Sequence, residues 1–341
     1  MRPRKIMGFS EAVDDALRQA MAEDERVIVI GEDVHSLRLG LYVRFGPGRV
    51  RPAPISEGAF LGAAVGAALG GMKPVAEIML IDFIGVAIDA LLNHAAKIAA
   101  FTGGRWSVPL VVRASCGGGY GDGGQHEQSL WGWLAHIPGL SVAVPSTPAD
   151  AGGLMLGALE RGGPVVFLEH KLLSEPWLDA MGRGGRRTVS FDVPPAGARG
   201  PVPRRWEKIP LGRAALRRRG DDLTMVSLGV GVHRCLEAAD VLAAERVSAG
   251  VVDLRTTAPL DAARILEETS KTRRLLVVDE DYKGFGLSGE LAAIALEAGL
   301  RIAYARVCTE ETIPYARGLE EAVLPGTARI VEAARRLVRS C

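Results

Sequence analysis

One pattern constrains this chain more than any other: an amphipathic helix leads into an unbroken β-branched run, and strand-like and helix-like stretches then alternate along the sequence. In residues 9–21 the apolar residues Phe9, Val13, Ala16, Leu17 and Ala20 return at three- and four-residue steps, which predicts one buried helical face. Val27, Ile28, Val29 and Ile30 follow with no polar interruption, as in a strand covered on both sides. Comparable runs at residues 75–78, 110–112, 142–144 and 165–168, with helical stretches between them, predict a parallel sheet with right-handed crossovers.

The alternation stops near Gly182 and resumes after Gly212, across a stretch holding Pro194, Pro195, Gly197, Gly200, Pro201 and Pro203. Regular structure is not expected there. Strand runs then recur at residues 223–228, 250–254, 275–279 and 302–307. The 341 residues exceed what a single core usually organises. The reading is an α/β chain of two domains, each a mainly parallel sheet flanked by helices, over residues 1–182 and 213–341, with 183–212 as the linker.

A composition 48% apolar and 24% charged is that of an ordinary globular protein. The formal charge of +1 offers no electrostatic case for nucleic acid, and the run Arg217-Arg218-Arg219 reads as solvated surface. Cys116, Cys235, Cys308 and Cys341 lack the paired spacing of a zinc or redox site, which fits a reducing compartment. The basic first five residues precede no apolar signal core, so a cytoplasmic location is expected. Gly58, Gly62, Gly66 and Gly70 fall on one helical ridge, where close approach by another helix, such as one of a second subunit, would compensate for the weakened helix. A membrane span is the rival, but the apolar stretch is about 15 residues against roughly 20 needed, and Glu57 begins it.

Pro54 fixes an extended entry to that helix and Glu57 meets its amino terminus; taken alone, this is a favourable first-turn acid. Three other segments follow expected strands, where open α/β sheets place their ligands: Gly31-Glu32-Asp33, the stretch from Glu77 to Asp82-Phe83, and the glycine-rich residues 117–128.

The ordered set Gly31-Glu32-Asp33, Pro54-Ile55-Ser56-Glu57, Ala76-Glu77-Ile78-Met79, Asp82-Phe83, Gly124-Gln125-His126, His136-Ile137-Pro138-Gly139-Leu140, Pro145-Ser146-Thr147-Pro148, Leu168-Glu169-His170-Lys171, Asp253-Leu254-Arg255-Thr256 and Pro259-Leu260-Asp261 resembles the beta subunits of thiamine-diphosphate-dependent 2-oxo acid dehydrogenases. The resemblance implies a pyrimidine-binding domain followed by a transketolase C-terminal-like domain. It implies that Glu57 hydrogen-bonds the cofactor's pyrimidine ring nitrogen, favouring the tautomer that activates the thiazolium carbon. It sets Ile55, Met79 and Phe83 around the pyrimidine, although all three also read as plain core residues. It gives His126 a role as proton donor or acceptor at the site mouth. His94, His136, His170 and His233 receive none.

Gly121-Asp122-Gly123 imitates the magnesium-diphosphate motif of such enzymes, but no Asn-Asn follows and Asn93 is the only asparagine, so Asp122 reads as a turn residue. The diphosphate half, with its magnesium, is therefore expected from an alpha subunit, in an alpha2beta2 heterotetramer that serves a lipoyl-bearing acyltransferase core. Backbone carbonyls of Leu110, Ala158, Leu159, Arg161 and Gly163 match a potassium site of some relatives, although Arg161 and Gly163 depart from the family's residues. Further departures are Glu127 for a usual serine, Arg51-Pro52-Ala53 for Val-Asp-Thr, and Asp279-Glu280 for His-Glu. Pyruvate, branched-chain oxo acids and acetoin-type substrates stay open. A split transketolase-like enzyme and a non-catalytic assembly subunit are the alternatives.

Overall fold

The computed structural model describes residues 5–181 and 191–339, so the basic amino terminus, the start of the expected linker and Cys341 lie outside the described residues. Its strands are β1 (Lys5–Gly8), β2 (Val27–Glu32), β3 (Val50–Ala53), β4 (Lys73–Leu80), β5 (Val111–Cys116), β6 (Ser141–Ala143), β7 (Val165–His170), β8 (Arg199–Val202), β9 (Ala215–Arg218), β10 (Leu223–Ser227), β11 (Ala249–Asp253), β12 (Thr256–Ala258), β13 (Arg274–Tyr282) and β14 (Ala303–Thr309). The first sheet has the order β12-β6-β7-β5-β4-β2-β3, all parallel except β12. The second has the order β14-β13-β10-β11-β9, all parallel except β9.

Alternation along the strands sorts side chains onto two faces. Val27, Val29, Val75, Val111, Val165 and Phe167 join the core beneath the Phe9–Glu23 helix, whose Phe9, Val13 and Leu17 are fully buried. Ala76, Ile78, Val112, Val166 and Leu168 face the opposite core. That second core does not stop at the domain boundary. It continues through Trp131, Leu134 and Ile137 into Val226, Val252, Leu275 and Leu291 of the second domain. Replacing Trp131 alone by alanine would cost about 3–5 kcal/mol by the usual penalty for emptying a core aromatic site.

Three features depart from the sequence reading. The described part of the expected irregular linker is a built strap: β8 pairs antiparallel with β1, a helical turn covers Pro195–Ala198, and Trp206 is buried with its Nε1 donating to Asp15 at 3.0 Å. The prolines fit because Pro195 opens the turn and Pro201 lies in a two-stranded ribbon. The strap seats on the glycine face of the Pro148–Glu160 helix; a Cβ at Gly157 would fall 2.1 Å from the Ile209 carbonyl oxygen. β12, from the second domain by sequence, completes the edge of the first sheet beside β6. Arg217 is not solvated surface but clamps the domains, pairing with Asp150 and with Asp253 at 2.7 Å, while Arg255 joins Asp150 at 2.5 Å.

Asp279 makes another link across the boundary, accepting the Trp131 Nε1–H at 2.8 Å. Burial, and then the neighbouring Asp281, push its carboxyl up to about 7. The folded chain therefore keeps a proton that the unfolded chain releases near pH 4, and this group's contribution to stability falls as pH rises from about 4 to about 7. Asp279→Asn should flatten that part of the profile, so thermal unfolding followed from pH 4 to 7 should show a smaller decline than in the parent chain. Parallel curves would remove Asp279 as the source.

Candidate active site

Because β2, β3, β4, β5 and β7 run parallel, the segments that follow them emerge at one edge of the first sheet. Those segments hold Asp33, Glu57, Asp82-Phe83, the 117–128 loop and Lys171. Glu57 opens the Glu57–Leu69 helix directly after Ser56, in its first turn as read from the sequence. It is half-buried, and among the described residues none hydrogen-bonds its carboxylate. Glu32, at the end of β2, is raised first by burial and then by the charges of Asp33 and Glu57, so three acids gather at this corner.

Phe83 and His126 meet edge to face, with ring centroids 5.9 Å apart at 85°. Phe83 sits on a 3-10 turn, Ile81–Val86, that continues β4. Its neighbour Asp82 accepts from Gln128 Nε2 at 2.9 Å through Oδ1, while Oδ2 is buried with no partner among the described residues. The loop closes on itself through the Gly117 N–H to the Gln128 carbonyl at 3.1 Å. His126 Nδ1 lies 3.3 Å from the Asp122 carbonyl oxygen. If Nδ1 carries the proton, Nε2 presents a lone pair, with no partner among the described residues.

Of the three expected ring-packing residues, Met79 and Phe83 are partly buried against the core, whereas Ile55 is 75% exposed. A plain core role therefore does not describe Ile55. An exposed aliphatic side chain two residues before an unengaged carboxylate fits the apolar ring and ring nitrogen of a pyrimidine. The residues do not fit a diphosphate with its metal: Asn93 is exposed and bonded to Asp89, and no group of three or more His, Cys, Asp or Glu among the described residues is placed to hold a metal ion. Of the potassium candidates, the Leu110 carbonyl accepts the Val165 N–H at 2.8 Å and the Ala158 carbonyl accepts the Arg161 N–H at 3.2 Å. A carbonyl keeps a second lone pair, so neither bond excludes ligation.

Other motif residues serve architecture. Glu77 pairs with Arg38 at 2.5 Å, and Glu169 takes Arg113 and the Ser10 hydroxyl, the latter at 2.8 Å. His170 is fully buried, with Nδ1 accepting the Leu172 N–H at 3.2 Å and Nε2 2.9 Å from Glu280 Oε1. The sequence reading named Glu280 and Lys171 without giving either a role, and missed Glu320. The glutamates hold the 117–128 loop from the second domain, and Lys171 Nζ donates to the His126 carbonyl at 2.6 Å. No local pattern marks an acid whose partner lies some 160–200 residues away.

Residues 5–176 match the family model described as transketolase, pyrimidine binding domain, and residues 212–330 match transketolase, C-terminal domain. The chain is 38% identical to the acetoin:2,6-dichlorophenolindophenol oxidoreductase subunit beta of Cupriavidus necator, with 96% of each chain covered. This chain belongs to the beta subunits of the 2-oxo acid dehydrogenase family. Within that family it is 39% identical to the 2-oxoisovalerate dehydrogenase subunit beta of Bacillus subtilis, over 86% of this chain and 85% of that one. It is 34% identical to the pyruvate dehydrogenase E1 component subunit beta of Rhizobium meliloti, over 96% and 69%. Among solved structures it resembles a split gene transketolase described as an inactive beta4 tetramer, at TM-score 0.77 and 22% identity over 98% of both chains, a likeness of fold.

Proposed function

We propose that this chain is the beta half of an enzyme that, with an alpha subunit, oxidatively decarboxylates a 2-oxo acid and passes the acyl group to a lipoyl domain. The observation that carries the reading is the unengaged Glu57 carboxylate at a helix start, two residues after open Ile55, on the sheet edge that also carries the Phe83–His126 pair. Thiamine diphosphate, when bound, supplies the electron sink for the bonding pair left behind when the carboxyl group departs as carbon dioxide. Glu57 would hold the proton shared with the pyrimidine ring nitrogen, and Ile55, Met79 and Phe83 would flank the ring. His126 Nε2 would exchange a proton with substrate or lipoyl sulfur, braced by Phe83 and by its carbonyl's bond from Lys171. The alpha subunit would bring the diphosphate and magnesium ligands, and an alpha2beta2 assembly would bring the half-sites together.

The glycine ridge supports such an assembly. Gly58 approaches the Val86 carbonyl, but a Cβ at Gly62 or Gly66 would meet nothing within 4 Å. Gly58, Ala59, Gly62, Ala63 and Gly66 are exposed. At Gly62 and Gly66 the close approach inferred from this spacing is not made among the described residues, and a subunit contact would supply it. No helix among the described residues is long and apolar enough to cross a membrane. A potassium ion on the carbonyls of Leu110, Ala158, Leu159, Arg161 and Gly163 belongs to the same proposal as a structural ion and takes part in no step.

In the reconstituted complex, Glu57→Gln should lower decarboxylation by at least about a thousandfold while leaving assembly intact; near-normal turnover would sink the mechanism. The chain without its partner should show no turnover on any 2-oxo acid. Gly62→Leu should leave the melting temperature of the isolated chain unchanged but abolish co-purification with the alpha subunit, and retained assembly would move the contact elsewhere. Potassium should raise the melting temperature above that in equal sodium; identical curves would dismiss the ion.

A further inference from the structure

The loop that carries His126 cannot pair its amides in a sheet, and its backbone shows what it uses instead. Gly119 and Gly121 take φ of +100° and +75°, on either side of Tyr120. Left-handed residues alternating with ordinary ones turn successive N–H groups toward one point and make an anion-binding nest. Here the N–H groups of Gly119, Tyr120 and Gly121 donate to Glu320 Oε1 at 2.7, 3.0 and 3.2 Å. Glu320 stands on the Arg317–Val323 helix of the second domain, is fully buried, and gives its other oxygen to Arg317.

The rest of the loop is held around that point. Gly118 N–H donates to Glu280 Oε1 at 2.9 Å, and Glu127 takes the N–H groups of Tyr120 at 2.7 Å and Gly123 at 2.9 Å. Lys171, fully buried with Nζ 4.8 Å from the Tyr120 ring centroid, lies 4.0 Å from Glu127 and fixes the His126 carbonyl. Burial pushes the Glu127 carboxyl up against the opposing charge of Lys171, and the adjoining Glu320 carboxyl adds to the rise. His126 follows directly, its N–H bonded to the Gly123 carbonyl at 3.0 Å.

We propose that Glu320 is a positioning residue for His126: its carboxylate fills the nest of residues 119–121 and so sets the shape of the loop that presents the imidazole. The second domain is thereby part of the active site without touching substrate. This rests on the role given to His126 above.

The test uses the complex assembled with its alpha subunit. Glu320→Ala should speed hydrogen exchange at the amides of residues 119–121, which donate to it, by about tenfold or more, since each bond to a charged acceptor is worth about that factor. It should also lower kcat by about tenfold while KM for the 2-oxo acid stays within about twofold. Formate should restore both in this variant, by refilling the nest, and do nothing to the parent. Glu320→Gln, which keeps the volume, should show the same direction and serves if the alanine variant does not assemble. Parent-like exchange in both variants overturns the nest. Faster exchange with unchanged kcat, while His126→Ala abolishes turnover, overturns the positioning role alone. If His126→Ala keeps full turnover, the positioning role falls with the reading it rests on, and the exchange data still decide the nest separately.

Discussion

A glycine-rich loop offers backbone amides but no ladder to satisfy them, and a buried amide without an acceptor costs about 1–3 kcal/mol. In this chain carboxylates accept the amides of residues 118–121 and of Gly123. Glu280 and Glu320 reach from the second domain to residues 118–121, and Glu127 reaches back from the loop's own end. The place of His126 therefore depends on a second domain docked in one orientation. That orientation is held by a core common to both domains, by β12 inserted beside β6, and by Arg217 and Arg255 on Asp150 and Asp253.

Buried charge recurs beneath the same sheet edge. Arg113, 2% exposed at the centre of β5, serves Asp14 and Glu169 while Arg38 serves Glu77. The Asp14 carboxyl is held low: its burial would raise it, but Arg38 and Arg113 outweigh that effect. Such networks add little net stability over an apolar core, yet removing one partner strands a charge and costs several kcal/mol. Their value here is to tie the Phe9–Glu23 helix to the strands whose far ends carry the site.

At the site the chain looks half-finished in a chemically specific way. Glu57 has no partner for its carboxylate among the described residues, Ile55 is exposed, and the glycine ridge behind them meets nothing over Gly62 and Gly66. An acid, an open aliphatic side chain and a smooth helix face side by side suit a surface built to be closed by another chain. Departures from the family wording fall mostly elsewhere. Glu127, in place of a serine, works in the loop's buried scaffold, and Asp279, in place of a histidine, secures Trp131 across the domain boundary.

Read alone, the sequence determined the first helix and the inner strands of both sheets, but not β1, β3, β8, β9 or β12. Periods of 3.6 and of 2 are written in neighbouring residues, so the Phe9–Glu23 helix, β2 and the parallel character of both sheets were legible, and so were the helix start at Glu57 and the places where Phe83 and His126 follow their strands. Tertiary structure decided whatever rests on contacts between residues distant in the chain. The prolines of 191–212 read as a break in structure, yet a two-stranded ribbon and a helix start accommodate them. Arg217 read as solvated because its partners, Asp150 and Asp253, lie 67 and 36 residues away. For the same reason Glu320, 199 to 201 residues from the amides it accepts, carried no local mark. Hydrogen bonds and ion pairs act over a few ångströms of space, and only the folded chain brings those ångströms about.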